Sequence, residues 1–196
     1  MGIVIEGMAQ TPDARGATRR ASFTGLLVLL ASTTMIFAAF TSALLVRRGG
    51  ADDWVHTPLP PVLLLNTVVL LASSGALETA RRKLRHGARV AFNVWWTLGT
   101  LLGFAFLGGQ ALAWIDLGHR GYYAASNPSS AFFYLLTAVH AAHLVGGICV
   151  LLYVDVQALR LRLGPGKRTA VEISTIFWHF LDLLWILLLV MLHLWD

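Results

Sequence analysis

Three histidines and one aspartate lie well away from the ends of long apolar stretches of the sequence, where ionisable side chains are rare. His140 and His143 share one stretch, and His179 and Asp182 share another. An aspartate costs about 2.5–3.5 kcal/mol at the centre of a membrane-spanning helix, and ionisable side chains at that depth usually face protein and not lipid. Buried together, they could satisfy one another's hydrogen-bond donors and acceptors.

Three interpretations of this cluster are open from the residue types. His143 and His179 could be the axial ligands of a haem, as in a small b-type cytochrome. Aspartate and histidine at mid-membrane could instead relay protons. The residues could also form a structural hydrogen-bond network that holds two helices in register, which is a common use of polar side chains in membrane bundles.

The depths of these residues allow a single cluster. The stretch Ile173–Trp195 has 23 residues, enough to cross a hydrocarbon layer of about 30 Å. His143 is twelve residues from the start of its stretch and Asp182 nine from the start of the next, so they lie about 18 Å and 13 Å from opposite membrane faces. We therefore expect Asp182 to accept a hydrogen bond from His143.

Five apolar stretches must position these side chains. Their lengths predict an all-α fold, an integral membrane bundle of five transmembrane helices. Residues 1–20 are predicted to be a disordered cytoplasmic segment, and residues 21–196 a single transmembrane domain. The predicted spans are about 21–46, 59–77, 90–115, 131–154 and 173–195.

The composition excludes several functional classes. The chain is 57% hydrophobic and only 13% charged, which is typical of a membrane protein and not of a soluble domain. Its net charge of +5 does not indicate nucleic-acid binding, because the basic residues lie in short loops between apolar stretches. Cys149 is the sole cysteine, so neither a disulfide framework nor a cysteine zinc site is expected.

The distribution of lysine and arginine predicts the orientation. Twelve of the 15 basic residues lie in the N-terminal segment and in the loops after spans two and four, which share one side of the membrane. Because positive charge collects in cytoplasmic loops, this side is predicted to be the cytoplasm. The C-terminus should then be periplasmic.

Four segments of the chain resemble subunit III of the haem–copper terminal oxidases, the cytochrome c oxidase subunit III family. Residues 177–185 are similar to its W-H-F-x-D-x-x-W run, and residues 133–147 to F-x-x-T-x-x-H-x-x-H followed by glycine. Residues 65–75 resemble L-N-T-x-x-L-L-x-S-S, and residues 102–110 resemble L-G-x-x-F-x-x-x-Q. The likeness extends over about residues 20–195 with near-constant spacing.

The resemblance implies a five-helix bacterial subunit III that carries no redox centre, with haem and copper in partner subunits. Such a subunit packs on subunit I, supports proton uptake and stability, and belongs to a cytochrome c oxidase of the bacterial inner membrane. Subunit II, small accessory subunits and membrane lipid are further expected partners, and a bound phospholipid is compatible with this role. The alternative within the same class is a component of a quinol oxidase or a nitric oxide reductase complex.

Two departures from the family pattern concern acidic residues. Thr33 stands where the family has an intramembrane carboxylate in the first of these spans, and Ala113 replaces an acidic residue near the end of the third. Larger members have seven helices and a lipid-filled cleft that five helices alone cannot form.

Two groups of residues are therefore candidates for function. We assign a buried polar network, structural or in support of proton uptake, to His140, His143, Glu172, His179, Asp182 and Asn66. Glu172 is also expected to form an ion pair at the cytoplasmic end, and Asn66 to make an interhelical hydrogen bond. Helix packing is assigned to Gly99, Gly103, Gly146, Gly147, Trp178 and Trp185.

Overall fold

Five long helices make up the computed structural model, which describes residues 12–50, 60–160 and 165–194. They are α1 (Pro12–Gly49), α2 (Val62–Arg85), α3 (Arg89–His119), α4 (Pro128–Leu159) and α5 (Pro165–Leu194). All five are long and apolar enough to cross a membrane, which confirms the predicted all-helical membrane bundle.

The helices extend beyond the predicted spans at their polar ends. Helix α1 begins at Pro12, so the prediction of a disordered segment over residues 1–20 is wrong for residues 12–20; residues 1–11 lie outside the described chain. Extending a helix that has already formed costs far less than starting one, so the apolar span propagates through the preceding polar residues.

Helix α2 also differs from its predicted span of residues 59–77. It starts after Pro61 and continues to Arg85, because Glu78 forms ion pairs with Arg81 and Arg82 along the helix surface. Pairs at spacings of three and four residues support helix formation. The charge at Glu78 therefore does not end the helix.

Helices α2, α3, α4 and α5 enclose the core, and α1 lies at its edge. The closest packing is between α2 and α3, which are joined by a tight turn at Gly87 with a positive φ of 76°. Helix α1 contacts only α5 and α4 within the described residues, through a buried face spaced as in a coiled coil. That face consists of Leu26, Thr33, Phe37 and Leu44.

Three helices meet at one end of the bundle in a group of charged side chains. Glu172 of α5 lies 3.3 Å from Arg19 of α1 and 4.0 Å from Arg85 of α2. The predicted ion pair of Glu172 is thus confirmed. It brings the start of α1, the end of α2 and the start of α5 to the same end of the bundle.

Candidate functional site

A polar cluster joins α2 and α5 in the half of the bundle nearer to the Glu172 ion pair. The His179 cluster consists of Ser74 and Glu78 on α2 and His179 and Asp182 on α5. His179 Nδ1 is hydrogen-bonded to Ser74 Oγ and lies 3.9 Å from Asp182 Oδ2, while Nε2 lies 3.8 Å from Glu78 Oε2. The imidazole therefore stands between two carboxylates, one on each helix.

The two carboxylates of the His179 cluster differ in their surroundings. Glu78 accepts hydrogen bonds from Arg81 Nε at 2.7 Å and from Arg82 Nε at 3.0 Å, so its charge is balanced by two arginines. Asp182 is only 5% exposed, and neither of its oxygens has a hydrogen-bond partner among the described residues. A buried acceptor without a donor costs about 1–3 kcal/mol.

The two histidines of α4 do not join this cluster. His140 is fully buried among the rings of Phe37, Phe106 and Trp185, and neither of its nitrogens has a described hydrogen-bond partner. His143 Nδ1 donates to the carbonyl of Val139, one turn back on its own helix, at 2.8 Å.

The expected hydrogen bond between His143 and Asp182 is therefore wrong, and so is the single cluster of four residues. Equal depth is necessary for contact but does not decide which face of a helix a residue occupies. Asp182 lies 3.9 Å from His179, which is hydrogen-bonded to Ser74 of α2, whereas His143 lines a groove between α1, α4 and α5. Glu172 likewise belongs to the ion pair with Arg19 at one end of the bundle and not to a buried network.

The geometry also separates the two histidines considered as haem ligands. Phe177 lines the same groove as His143. His179 follows Phe177 by two residues, or about 200° around α5, and contacts α2. His143, on α4, therefore lies near one side of α5, whereas His179 projects from a different side of α5. Within residues 12–50, 60–160 and 165–194, no group of three or more His, Cys, Asp or Glu side chains is arranged to hold a metal ion.

Interhelical hydrogen bonds hold the helices that carry the cluster. Asn66 Nδ2 donates to the carbonyl of Phe106 at 3.0 Å, which confirms the predicted bond of Asn66. Ser73 Oγ donates to the carbonyl of Gly99 at 2.7 Å, and Trp185 Nε1 donates to Thr67 Oγ1 at 2.9 Å. These bonds fix α2 against α3 and α5.

Close packing around Trp178 supports the other side of the cluster. A Cβ added at Gly103 would stand 2.8 Å from Trp178 Cη2, and one added at Gly147 would stand 3.3 Å from the same ring. A Cβ added at Gly99 would likewise stand 2.7 Å from the side chain of Leu77. The structure does not support the assignment of Gly146 to helix packing, because a Cβ added there would meet no described atom within 4 Å.

Replacing Gly103 with valine should destabilise the bundle by about 1–3 kcal/mol, because the new side chain would overlap the indole of Trp178. Thermal unfolding of the purified chain in detergent measures the effect. Gly108→Val is the matched control, since it makes the same change on α3 at a position with no described atom within 4 Å. Equal unfolding temperatures for the two variants would contradict this packing.

Thr33 stands at the position where the resemblance places a carboxylate. Its side chain is fully buried on α1, and its hydroxyl has no described hydrogen-bond partner. A threonine hydroxyl carries no charge at neutral pH, so α1 contributes no ionised group at this depth.

Comparison with known proteins identifies the family. A family model described as cytochrome c oxidase subunit III matches residues 3–196. The chain belongs to this family. The cytochrome c oxidase subunit 3 of Thermostichus vulcanus is 30% identical over 182 residues, which cover 86% of this chain and 85% of that protein. The probable cytochrome c oxidase subunit 3 of Mycobacterium bovis is 30% identical over 180 residues, with the same coverage.

Membership of this family confirms the resemblance seen in the sequence. It implies that the chain is part of a multi-subunit oxidase complex. Sequence analysis identified His179 and Asp182 but paired them with the wrong helix. Ser74 and Glu78 were not among the candidate residues predicted from the sequence. Ser74 lies 11 residues before Arg85, and His179 lies 11 residues after Arg168. The two residues are therefore at equal distances from the basic ends of their helices, and this equality could have predicted their contact.

Proposed function

We propose that this chain is the non-catalytic subunit III of a bacterial haem–copper terminal oxidase that takes electrons from cytochrome c. It would pack on subunit I, with subunit II and small accessory subunits nearby, in the inner membrane. Haem and copper would be held by the partner subunits. The observation that carries the proposal is the family match over residues 3–196.

The role proposed for the chain is to stabilise the complex and to support its proton uptake. The arrangement of the His179 cluster suits this role, because its imidazole is engaged with Ser74 and faces Glu78 and Asp182. A histidine so placed can bind or pass a proton and can hold two helices together. The placement of His143 and His179 on different sides of α5 speaks against the alternative of a b-type cytochrome.

Lipid is a further proposed ligand of this subunit. The groove between α1, α4 and α5 has a volume of about 470 Å³ and is lined mainly by aliphatic side chains and glycine. Leu26, Leu29, Val150 and Ile173 give it an apolar wall. A phospholipid acyl chain is the occupant we propose for it.

Affinity purification of the tagged chain in a mild detergent tests the proposed function. We expect a larger, haem-bearing membrane subunit to be recovered with it, together with the optical spectrum of a terminal oxidase. Recovery with a quinol oxidase or a nitric oxide reductase would select the alternative assembly. Recovery of the chain alone, from membranes with an active oxidase, would contradict the proposal.

The proposed orientation makes a separate prediction. A reporter fused after Asp196 should be active in the periplasm, and one inserted within residues 81–89 should be active in the cytoplasm. The meeting of Arg19, Arg85 and Glu172 at one end of the bundle requires α1 and α5 to start on the same side. Reporter activity on the opposite sides would overturn this orientation.

A further inference from the structure

Two fully buried polar side chains, one on α3 and one on α4, have no hydrogen-bond partner among the described residues. Gln110 of α3 is 1% exposed and His140 of α4 is 0% exposed. Within the described chain, neither ring nitrogen of His140 and neither amide atom of the Gln110 side chain is paired. The large majority of buried polar side chains in folded proteins have a partner, because an unpaired group loses its hydration without compensation. These two side chains therefore require one.

Contacts on either side place Gln110 close to the level of His140. One turn before Gln110, the ring of Phe106 lies 6.1 Å from the imidazole of His140. One turn after Gln110, Trp114 Nε1 donates to Thr137 Oγ1 at 3.1 Å. The two contacts run in opposite directions along α3 and α4, so these helices are antiparallel. Because residues four apart share one face of a helix, Gln110 lies between the two contacts, on the face of α3 that packs on α4.

The surroundings close this position to solvent and to other chains. The rings of Phe37, Phe106 and Trp185 pack against the imidazole, at centroid distances of 6.3, 6.1 and 5.1 Å. All three of these side chains are themselves buried. A partner for His140 and Gln110 must therefore be small and enclosed within the bundle.

The chemistry of the two side chains selects this partner. In its neutral form an imidazole has one donor and one acceptor, and a primary amide has two donors and an acceptor oxygen. A direct bond between His140 and Gln110 would pair one atom of each and leave the other two atoms unpaired. A cation would pair only with the acceptors and an anion only with the donors, whereas a water molecule both donates and accepts.

We propose that His140 and Gln110 form an internal binding site for water, in which at least one water molecule bridges the imidazole of α4 and the amide of α3. The bridge ties these two helices together beside Trp185 of α5 and holds them in register. This inference concerns the interior of the chain and goes beyond the proposed function without depending on it.

A map of the full chain, crystallised alone or imaged within its complex at a resolution that shows ordered water, tests the site directly. We expect a peak about 2.7–3.2 Å from a ring nitrogen of His140 and from an amide atom of Gln110. A direct contact between the two side chains with no peak would overturn the proposal. So would a peak at about 2.0–2.2 Å from these atoms, which is the distance of a bound metal ion.

Coupled substitutions test the bridge through the stability of the chain. His140→Phe and Gln110→Leu each leave the other side chain with one partner fewer, and each should lower the unfolding temperature in detergent by about 2–10 °C. The double variant removes both polar side chains at once. Its unfolding temperature should therefore fall by less than the two separate shifts together.

His140→Phe combined with Asn93→Leu is the matched control. Asn93 also lies on α3 and its Oδ1 has no described partner, but it is 17 residues, or about 25 Å, from Gln110 along the helix. The shifts of this pair should be additive. Additive shifts for His140→Phe and Gln110→Leu as well would overturn the bridge. Should a variant fail to fold, the map of the unmodified chain decides between water and a direct contact.

Discussion

Asp182→Ala is expected to loosen the subunit from its complex without removing haem. The substitution removes a buried carboxylate beside His179, and we expect the altered contact between α2 and α5 to weaken association by about 1–3 kcal/mol. The complex should keep its haem spectrum and its initial turnover. The subunit should then be lost on washing with detergent, and activity should decay faster during turnover.

The isolated chain should respond differently to Asp182→Ala. Both oxygens of Asp182 lack a described donor, so their removal should leave the thermal stability of the chain unchanged or raise it. A clear loss of stability in the isolated chain would mean that Asp182 supports the fold of the subunit itself. Immediate loss of turnover with the subunit still bound would instead place Asp182 on a working proton path.

Double substitutions identify the neighbour of Asp182 in the assembled complex. Because His179 Nδ1 lies 3.9 Å from Asp182, adding His179→Ala to Asp182→Ala should weaken retention by less than the two separate effects together. His143→Ala should be additive with Asp182→Ala, since these residues share no contact in the described chain. The reverse pattern would restore the pairing that the sequence suggested.

Trp178→Ala should have the largest effect on the stability of the subunit. The indole is fully buried and fills the space left by Gly103 and Gly147. Removing it leaves a cavity on the order of 100 Å³ or more, and the lost packing should cost about 3 kcal/mol. Thermal unfolding in detergent, or the yield of folded protein in membranes, measures this cost.

The control for Trp178→Ala is Trp95→Ala. Trp95 is 38% exposed on α3, so its removal opens no enclosed cavity and should change stability little. Similar losses from the two substitutions would show that the packing of Trp178 against the two glycines does not govern the stability of the bundle.

The sequence was sufficient to predict the helices because crossing a membrane requires long apolar stretches. It was less reliable at their ends, since the first charged residue does not stop a helix. Glu78 illustrates this, because it pairs with Arg81 and Arg82 and lets α2 continue to Arg85. Length and hydropathy alone contain no information on such local ion pairs.

The site was predicted incompletely because the sequence does not show which helices are neighbours. Depth along a span can be calculated from residue number, but rotation and pairing of helices depend on packing that the sequence does not display. Asp182 was therefore matched with His143 on α4, whereas it lies beside His179, which contacts Ser74 of α2. Gly146 shows the same limit, because it adjoins Gly147 in sequence but faces open space and not Trp178.

The most direct test of a subunit without a redox centre is the optical spectrum of the separated components. The complex is purified through a tag on this chain, the chain is then dissociated by detergent, and both fractions are measured. We predict that all haem absorbance remains with the larger subunit and that the released chain shows none. A Soret band with the features of bis-histidine ligation in the released chain would contradict the account.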